Sequence, residues 1–142
     1  MEQTIVFAES RGKTDINIEG EDSQKETRPR VVGKHVYGNA MNCNVQKLMS
    51  EEYIVNTVRE AARVGNMTIL DLKSWKIGNG VSVLAVVLES HISVHTWPEY
   101  GFATIDVYSC GDHTHPTEAF EYIVKKLEAK NVVKGFIDRS FV

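Results

Sequence analysis

The chain has 142 residues, 42% of them hydrophobic and 25% charged, with a formal net charge of −3. That length holds one domain with a real core and not two comfortable ones, and the charge leaves no basic face for nucleic acid. The longest apolar run falls short of the roughly 18 residues of a membrane span, and two cysteines, Cys43 and Cys110, are too few for a disulfide framework. With no segment that reads as a signal peptide, free thiols in a reducing cytoplasm are expected.

Residues 1–30 are charged, poor in aromatics and without period, so they read as a disordered extension. Within them Thr4 to Ala8 is a candidate short edge strand, and the folded domain is expected over 31–142. Val31–Tyr37 reads as a first strand that loosens near Gly38-Asn39. Ser50 then caps a helix, with Glu51 and Glu52 in its positive first turn. Its apolar stripe is Ile54, Val55, Val58, Ala61 and Ala62, and Gly65-Asn66 ends it. Met67 to Trp75 reads as a half-buried strand with Met67, Ile69 and Leu72 inward, and Gly78-Asn79-Gly80 as a hairpin turn. Val81–Leu88, Ile92–Trp97 and Phe102–Tyr108 are strands joined by tight connections. Pro116 opens a second helix with Phe120, Ile123, Val124 and Leu127 on its buried side, and Asn131–Ile137 is a last strand.

The order β-α-β-β-β-β-α-β predicts an α+β two-layer sandwich, a mostly antiparallel sheet with two helices on one face. In the most apolar strand Leu84, Val86 and Leu88 alternate with Val83, Ala85 and Val87, so both of its faces are apolar. Dimerisation through the face without helices would bury whichever set the helices leave uncovered.

The stretch after that strand concentrates reactive groups. Ser90 reads either as a turn residue or as a nucleophile, which would need an adjacent base or unusual geometry. His91 and His95 lie four apart and share one face of an extended strand, but no third ligand of suitable spacing makes them a zinc site. His113 and His115 sit in a polar stretch before the second helix and read as a solvated loop. Cys110, at a strand end before Gly111, shares the polar face of Asp106 and Tyr108, where a thiol can serve as a proton donor. Trp97, before Pro98, reads as core or as an exposed stacking plate, and composition alone favours core.

Leu88-Glu-Ser-His-Ile-Ser-Val-His-Thr-Trp-Pro-Glu-Tyr-Gly101, with Asp106-Val-Tyr-Ser-Cys-Gly111, closely resembles the prokaryotic S-adenosylmethionine decarboxylase proenzyme family. The likeness runs over roughly 31–140 and includes Gly33-Lys-His35 and Gly80-Val-Ser82. It implies self-cleavage between Glu89 and Ser90 into chains 1–89 and 90–142, the second capped by a pyruvoyl group made from Ser90. Ser82 would support the tetrahedral intermediate and His95 would accept the Cα proton of Ser90. The pyruvoyl would form a Schiff base with the substrate, the role pyridoxal phosphate fills elsewhere, and Cys110 would protonate the carbanion after CO2 leaves. Trp97 would stack on the adenine, Glu99 would bind near the ribose, and Trp75 would supply a second aromatic plate. The resemblance implies a cytoplasmic dimer that uses neither metal nor pyridoxal phosphate and makes the aminopropyl donor for spermidine. Two alternatives stay open: a pyruvoyl-dependent arginine decarboxylase making agmatine on the same scaffold, and an unprocessed paralogue that regulates an active partner. A metal hydrolase built on His91, His95, His113 and His115 is disfavoured because no ligand set closes.

Overall fold

The computed structural model describes the backbone of residues 4–7 and the whole of residues 30–142. In chain order the elements are β1 (Thr4–Phe7), β2 (Lys34–Met41), α1 (Val45–Met49), α2 (Glu51–Val64), β3 (Ile69–Ile77), β4 (Gly80–Val87) and β5 (Ser90–Trp97). A 3-10 turn (Pro98–Tyr100), β6 (Phe102–Ser109), α3 (Pro116–Lys126) and β7 (Asn131–Asp138) complete them. The strands form one sheet in the order β1-β7-β2-β6-β5-β4-β3. All ladders are antiparallel except the one between β1 and β7. The expectation of disorder over 1–30 falls outside the described residues except at Thr4–Phe7 and Arg30, and Thr4–Phe7 is a strand.

The sandwich follows from period. In β5, Ile92, Val94 and Thr96 turn toward the helices and are buried, while His91, Ser93, His95 and Trp97 face the other way. α2 starts where expected, with Ser50 Oγ accepting from the Tyr53 amide, and ends at Gly65. α3 lays Phe120, Ile123 and Val124 onto the sheet. Thr96 stays satisfied inside the core, accepting from the Val81 amide at 2.9 Å and donating to the Leu48 carbonyl at 2.8 Å.

Four expectations need correction. β2 begins three residues later than Val31 and runs straight through Gly38-Asn39 to Met41. Gly38 is there for space: a Cβ would stand 2.2 Å from the Val133 carbonyl oxygen and 3.0 Å from the ring of Phe120. A short helix, α1, precedes α2; Asn44 accepts from the Lys47 amide as its cap, and Leu48 is fully buried beneath it. β3 extends to Ile77, and its inward set shifts from Ile69 to Leu72 because a bulge interrupts the ladder between Ile69 and Asp71.

The sheet face without helices remains open. On β4, Leu84 and Val86 are 43% and 51% exposed, and Leu88 just beyond it is 68% exposed, although all three are apolar. Such a surface is atypical of a free monomer.

Candidate active site

The turn between β4 and β5 delivers Glu89 and Ser90 at one end of the sheet. Ser90 Oγ donates to Cys110 Sγ at 3.2 Å. The Glu89 carbonyl oxygen accepts from the Cys110 amide at 2.8 Å, a fixed donor at the atom where charge would collect if that carbonyl were attacked. The Glu89 side chain is buried, accepting from the Thr68 amide at 3.1 Å and lying 2.9 Å from His113 Nε2. Burial pushes this carboxyl up, but hydrogen bonds from His113, from the Thr68 amide and from its own backbone outweigh it. The group is held below the usual carboxylate range. The Leu88 amide donates back to the Thr68 carbonyl at 2.8 Å, so the peptide just ahead of Ser90 is pinned on several sides.

Tyr108 joins this end from β6. Its hydroxyl is raised above the ordinary tyrosine value, first by a hydrogen bond with Cys110 and then by burial, against the pull of Arg139. Its ring stacks on His91 at 5.8 Å and lies 4.3 Å beneath the Arg139 guanidinium. The Cys110 thiol therefore sits between the Ser90 hydroxyl and the Tyr108 phenol. The other thiol, Cys43, is buried in the core, with its pKa pushed up to about 12.

A different set occupies the far end of the open face. Trp75, Ser82, His95 and Thr104 stand directly opposite one another across β3, β4, β5 and β6. His95 Nδ1 lies 2.8 Å from Ser82 Oγ. If Nδ1–H donates to Ser82, Nε2 keeps its lone pair for use as a base, and the Ser82 hydroxyl keeps its proton for donation. Trp97 is 39% exposed and packs 5.4 Å from the Phe102 ring; Trp75 is 49% exposed. The expectation of a core Trp97 fails because β5 turns it to the open face. Glu99 follows, exposed, in the 3-10 turn. Between the ends runs a cleft of about 540 Å³ whose walls include His35, Tyr37, Ser93, His95 and Asp106, with His35 Nε2 paired to Asp106 at 2.5 Å.

The chain thus joins Glu89, Ser90 and Cys110 but leaves Ser82, His95, Trp75, Trp97 and Glu99 elsewhere. Ser90 and His95 lie five residues apart on one continuous strand, which at ~3.3 Å per residue separates them by roughly 16 Å. An imidazole cannot span that distance. Sequence reasoning missed Tyr108, Thr68 and His113. Alternation with Cys110 could have flagged Tyr108, but no local pattern announces that His113 folds back onto Glu89. His115 is exposed at the start of α3, as a loop histidine should be. Among the described residues no group of three His, Cys, Asp or Glu side chains could hold a metal ion.

Comparison with known proteins places this geometry. Residues 34–140 match the model of the S-adenosylmethionine decarboxylase family. The chain is 57% identical over 112 residues to an S-adenosylmethionine decarboxylase proenzyme of Sulfolobus acidocaldarius, covering 79% of this chain and 92% of that protein. It is 60% identical over 111 residues to the proenzyme of Aeropyrum pernix, covering 78% and 85%. The fold aligns with the crystal structure of the adenosylmethionine decarboxylase from Aquifex aeolicus at a TM-score of 0.74 and 30% identity, covering 79% of this chain and 93% of that one. The peptide pinned ahead of Ser90, the thiol beside it and these three likenesses agree: the chain belongs to the S-adenosylmethionine decarboxylase family.

Proposed function

We propose that the protein cuts itself between Glu89 and Ser90 and then decarboxylates S-adenosylmethionine, with each active centre assembled from two protomers. The observation that carries the first half is the nucleophile and carbonyl held together by one residue, Ser90 Oγ on Cys110 Sγ and Glu89 C=O on the Cys110 amide.

Attack of Ser90 Oγ on the Glu89 carbonyl carbon forms a tetrahedral oxyanion, which the Cys110 amide is placed to stabilise. The C–N bond breaks as the hydroxyl proton passes to the Ser90 nitrogen, leaving an ester. A base then removes the Ser90 Cα proton, the Cβ–Oγ bond breaks, and Glu89 departs as the carboxyl end of chain 1–89. The enamine left at position 90 tautomerises to an imine, and water hydrolyses it to ammonia and a pyruvoyl cap on chain 90–142. Position 90 suits that group, since Cys110 Sγ already lies against its side chain.

His95 fits as the base, but not from its own protomer, given the roughly 16 Å along β5. A two-fold axis through the open face would bring the far end of each sheet onto the near end of the other. Leu84, Val86 and Leu88 supply apolar surface for that contact. Each centre would then hold Glu89, Ser90, Cys110 and Tyr108 from one protomer, with Ser82, His95, Trp75, Trp97 and Glu99 from its partner.

The pyruvoyl group would supply a ketone to capture the substrate amine and an electron sink while CO2 leaves. Cys110 would return a proton to the substrate α-carbon. Trp75 and Trp97 offer π faces to the adenine and the sulfonium, worth on the order of 0.5–2 kcal/mol for the cation, and Glu99 reaches the ribose. Two exposed indoles favour this substrate over arginine, and turnover of carboxyl-labelled arginine alone would overturn the choice. Free thiols suit a reducing cytoplasm, where this chemistry would supply spermidine synthesis; separately, no helix among the described residues is long and apolar enough to cross a membrane.

Co-expressing Ser90→Ala with His95→Ala tests the shared centre. A mixed dimer holds one complete site, built on Ser90 of its His95→Ala chain, so every His95→Ala chain in a mixed dimer, half of the chains there, should be cleaved, as read by intact mass. No cleavage in isolated mixed dimers would refute assembly in trans.

A further inference from the structure

The histidine that sequence reasoning assigned to a solvated loop has a specific task. We propose that His113 is a positioning residue for self-cleavage: it grips the Glu89 carboxylate and thereby keeps the Glu89 carbonyl carbon aimed at Ser90 Oγ. The inference rests on the reading that Ser90 attacks Glu89, and it deepens that reading.

Glu89 lies in the turn between β4 and β5, beside the largely exposed Leu88. Nothing in a short turn by itself fixes the direction of its carbonyl. Three contacts do so here: the Cys110 amide on the carbonyl oxygen at 2.8 Å, the Thr68 amide on one carboxylate oxygen at 3.1 Å, and His113 Nε2 by the other at 2.9 Å. A buried carboxylate needs such partners, because an unpaired one would draw the turn out toward water.

The loop carrying His113 is shaped for the contact. An alanine Cβ at Gly111 would stand 2.8 Å from His113 Cε1, so the absence of a side chain there lets the imidazole fold back over the chain toward Glu89. The Asn66 side chain donates to the His113 carbonyl at 2.9 Å, and Thr114 Oγ1 donates to the Gly111 carbonyl at 2.8 Å, which fixes the loop from both ends. His113 itself is 58% exposed, so replacing it opens no hole in the core.

The grip also crosses the cut. Thr68 belongs to chain 1–89, whereas Cys110 and His113 belong to chain 90–142. Through His113 the second chain therefore holds the residue that it must release chemically while keeping it in place.

The experiment follows chain cleavage over time by intact mass in wild type, His113→Ala, His113→Gln, Glu89→Ala and the Glu89→Ala/His113→Ala double variant, with Tm for each. His113→Ala should cleave between about 10- and 100-fold more slowly, the scale expected for a misaimed reacting group. His113→Gln, whose amide can donate as Nε2–H does, should recover most of the rate. The double variant should be no slower than Glu89→Ala, since His113 acts through that carboxylate. Wild-type cleavage by His113→Ala or by Glu89→Ala would overturn the proposal. So would a slow His113→Ala that glutamine fails to rescue, or effects that multiply in the double variant. Failure of the underlying reading looks different: wild type would stay one intact chain, or Ser90→Ala would be cut.

Discussion

The two ends of β5 use the same strand for opposite purposes. At Ser90 the backbone is wired: the carbonyl ahead of it, the side chain of Glu89 and the thiol of Cys110 are all tied to neighbours. At Trp97 the strand ends in an exposed ring, and His95, paired with Ser82, lines an open cleft. On the proposed function the first end would break a bond within its own chain, and the second would offer its groups to a partner. One chain holds both ends and keeps them apart by the length of β5, which is the reason for proposing a centre shared between two chains.

That contrast can be attacked first at the open face, where the proposed dimer would form. Leu84→Asp places a charge at the centre of the open face, where a partner would have to desolvate it. It should yield a monomer by light scattering and lower the cleavage rate by at least about 100-fold, since His95 no longer reaches position 90. A monomeric variant that cuts itself normally would break the comparison.

Cys110→Ala separates two roles within the wired end. The amide that holds the Glu89 carbonyl survives the substitution, so cleavage should continue at a reduced rate. Decarboxylation per pyruvoyl should fall by about 10²–10⁴-fold, the usual contribution of a placed general acid. Trp97→Ala should do the reverse at the exposed end, leaving cleavage nearly intact and raising KM by about tenfold, in keeping with the loss of one stacking and cation–π face.

Much of this was legible from residue pattern. Alternation divided the most apolar strand into two apolar sets and implied that one would lack helix cover; Leu84 and Val86 belong to that set. Ser50 and Pro116 marked helix starts because caps and fixed φ are local chemistry. Apart from the short helix α1, whose Asn44 cap is local, the failures are non-local. Gly38 looks like a break until Phe120, eighty-two residues on, is seen to need its space. Leu72 looks out of phase with Ile69 until the bulge between them is visible. At the site, the reactive types of Ser90, His95 and Cys110 were readable from their motif, but not which of them meet. Ser90 meets Cys110 through adjacent strands, while His95 is separated from it by the rise of a single strand.

The order of the strands has a further consequence for the matured enzyme. A cut ahead of Ser90 would assign β1 to β4 to one fragment and β5 to β7 to the other, and four of the six ladders among the described residues would then join different fragments. β2 is threaded between β7 and β6. The pieces cannot drift apart without dismantling the sheet, yet once dismantled they have no covalent link to find each other again. Maturation should therefore turn refolding from a unimolecular event into a second-order one, so that recovery after heating depends on protein concentration in the cut form and far less in the Ser90→Ala precursor.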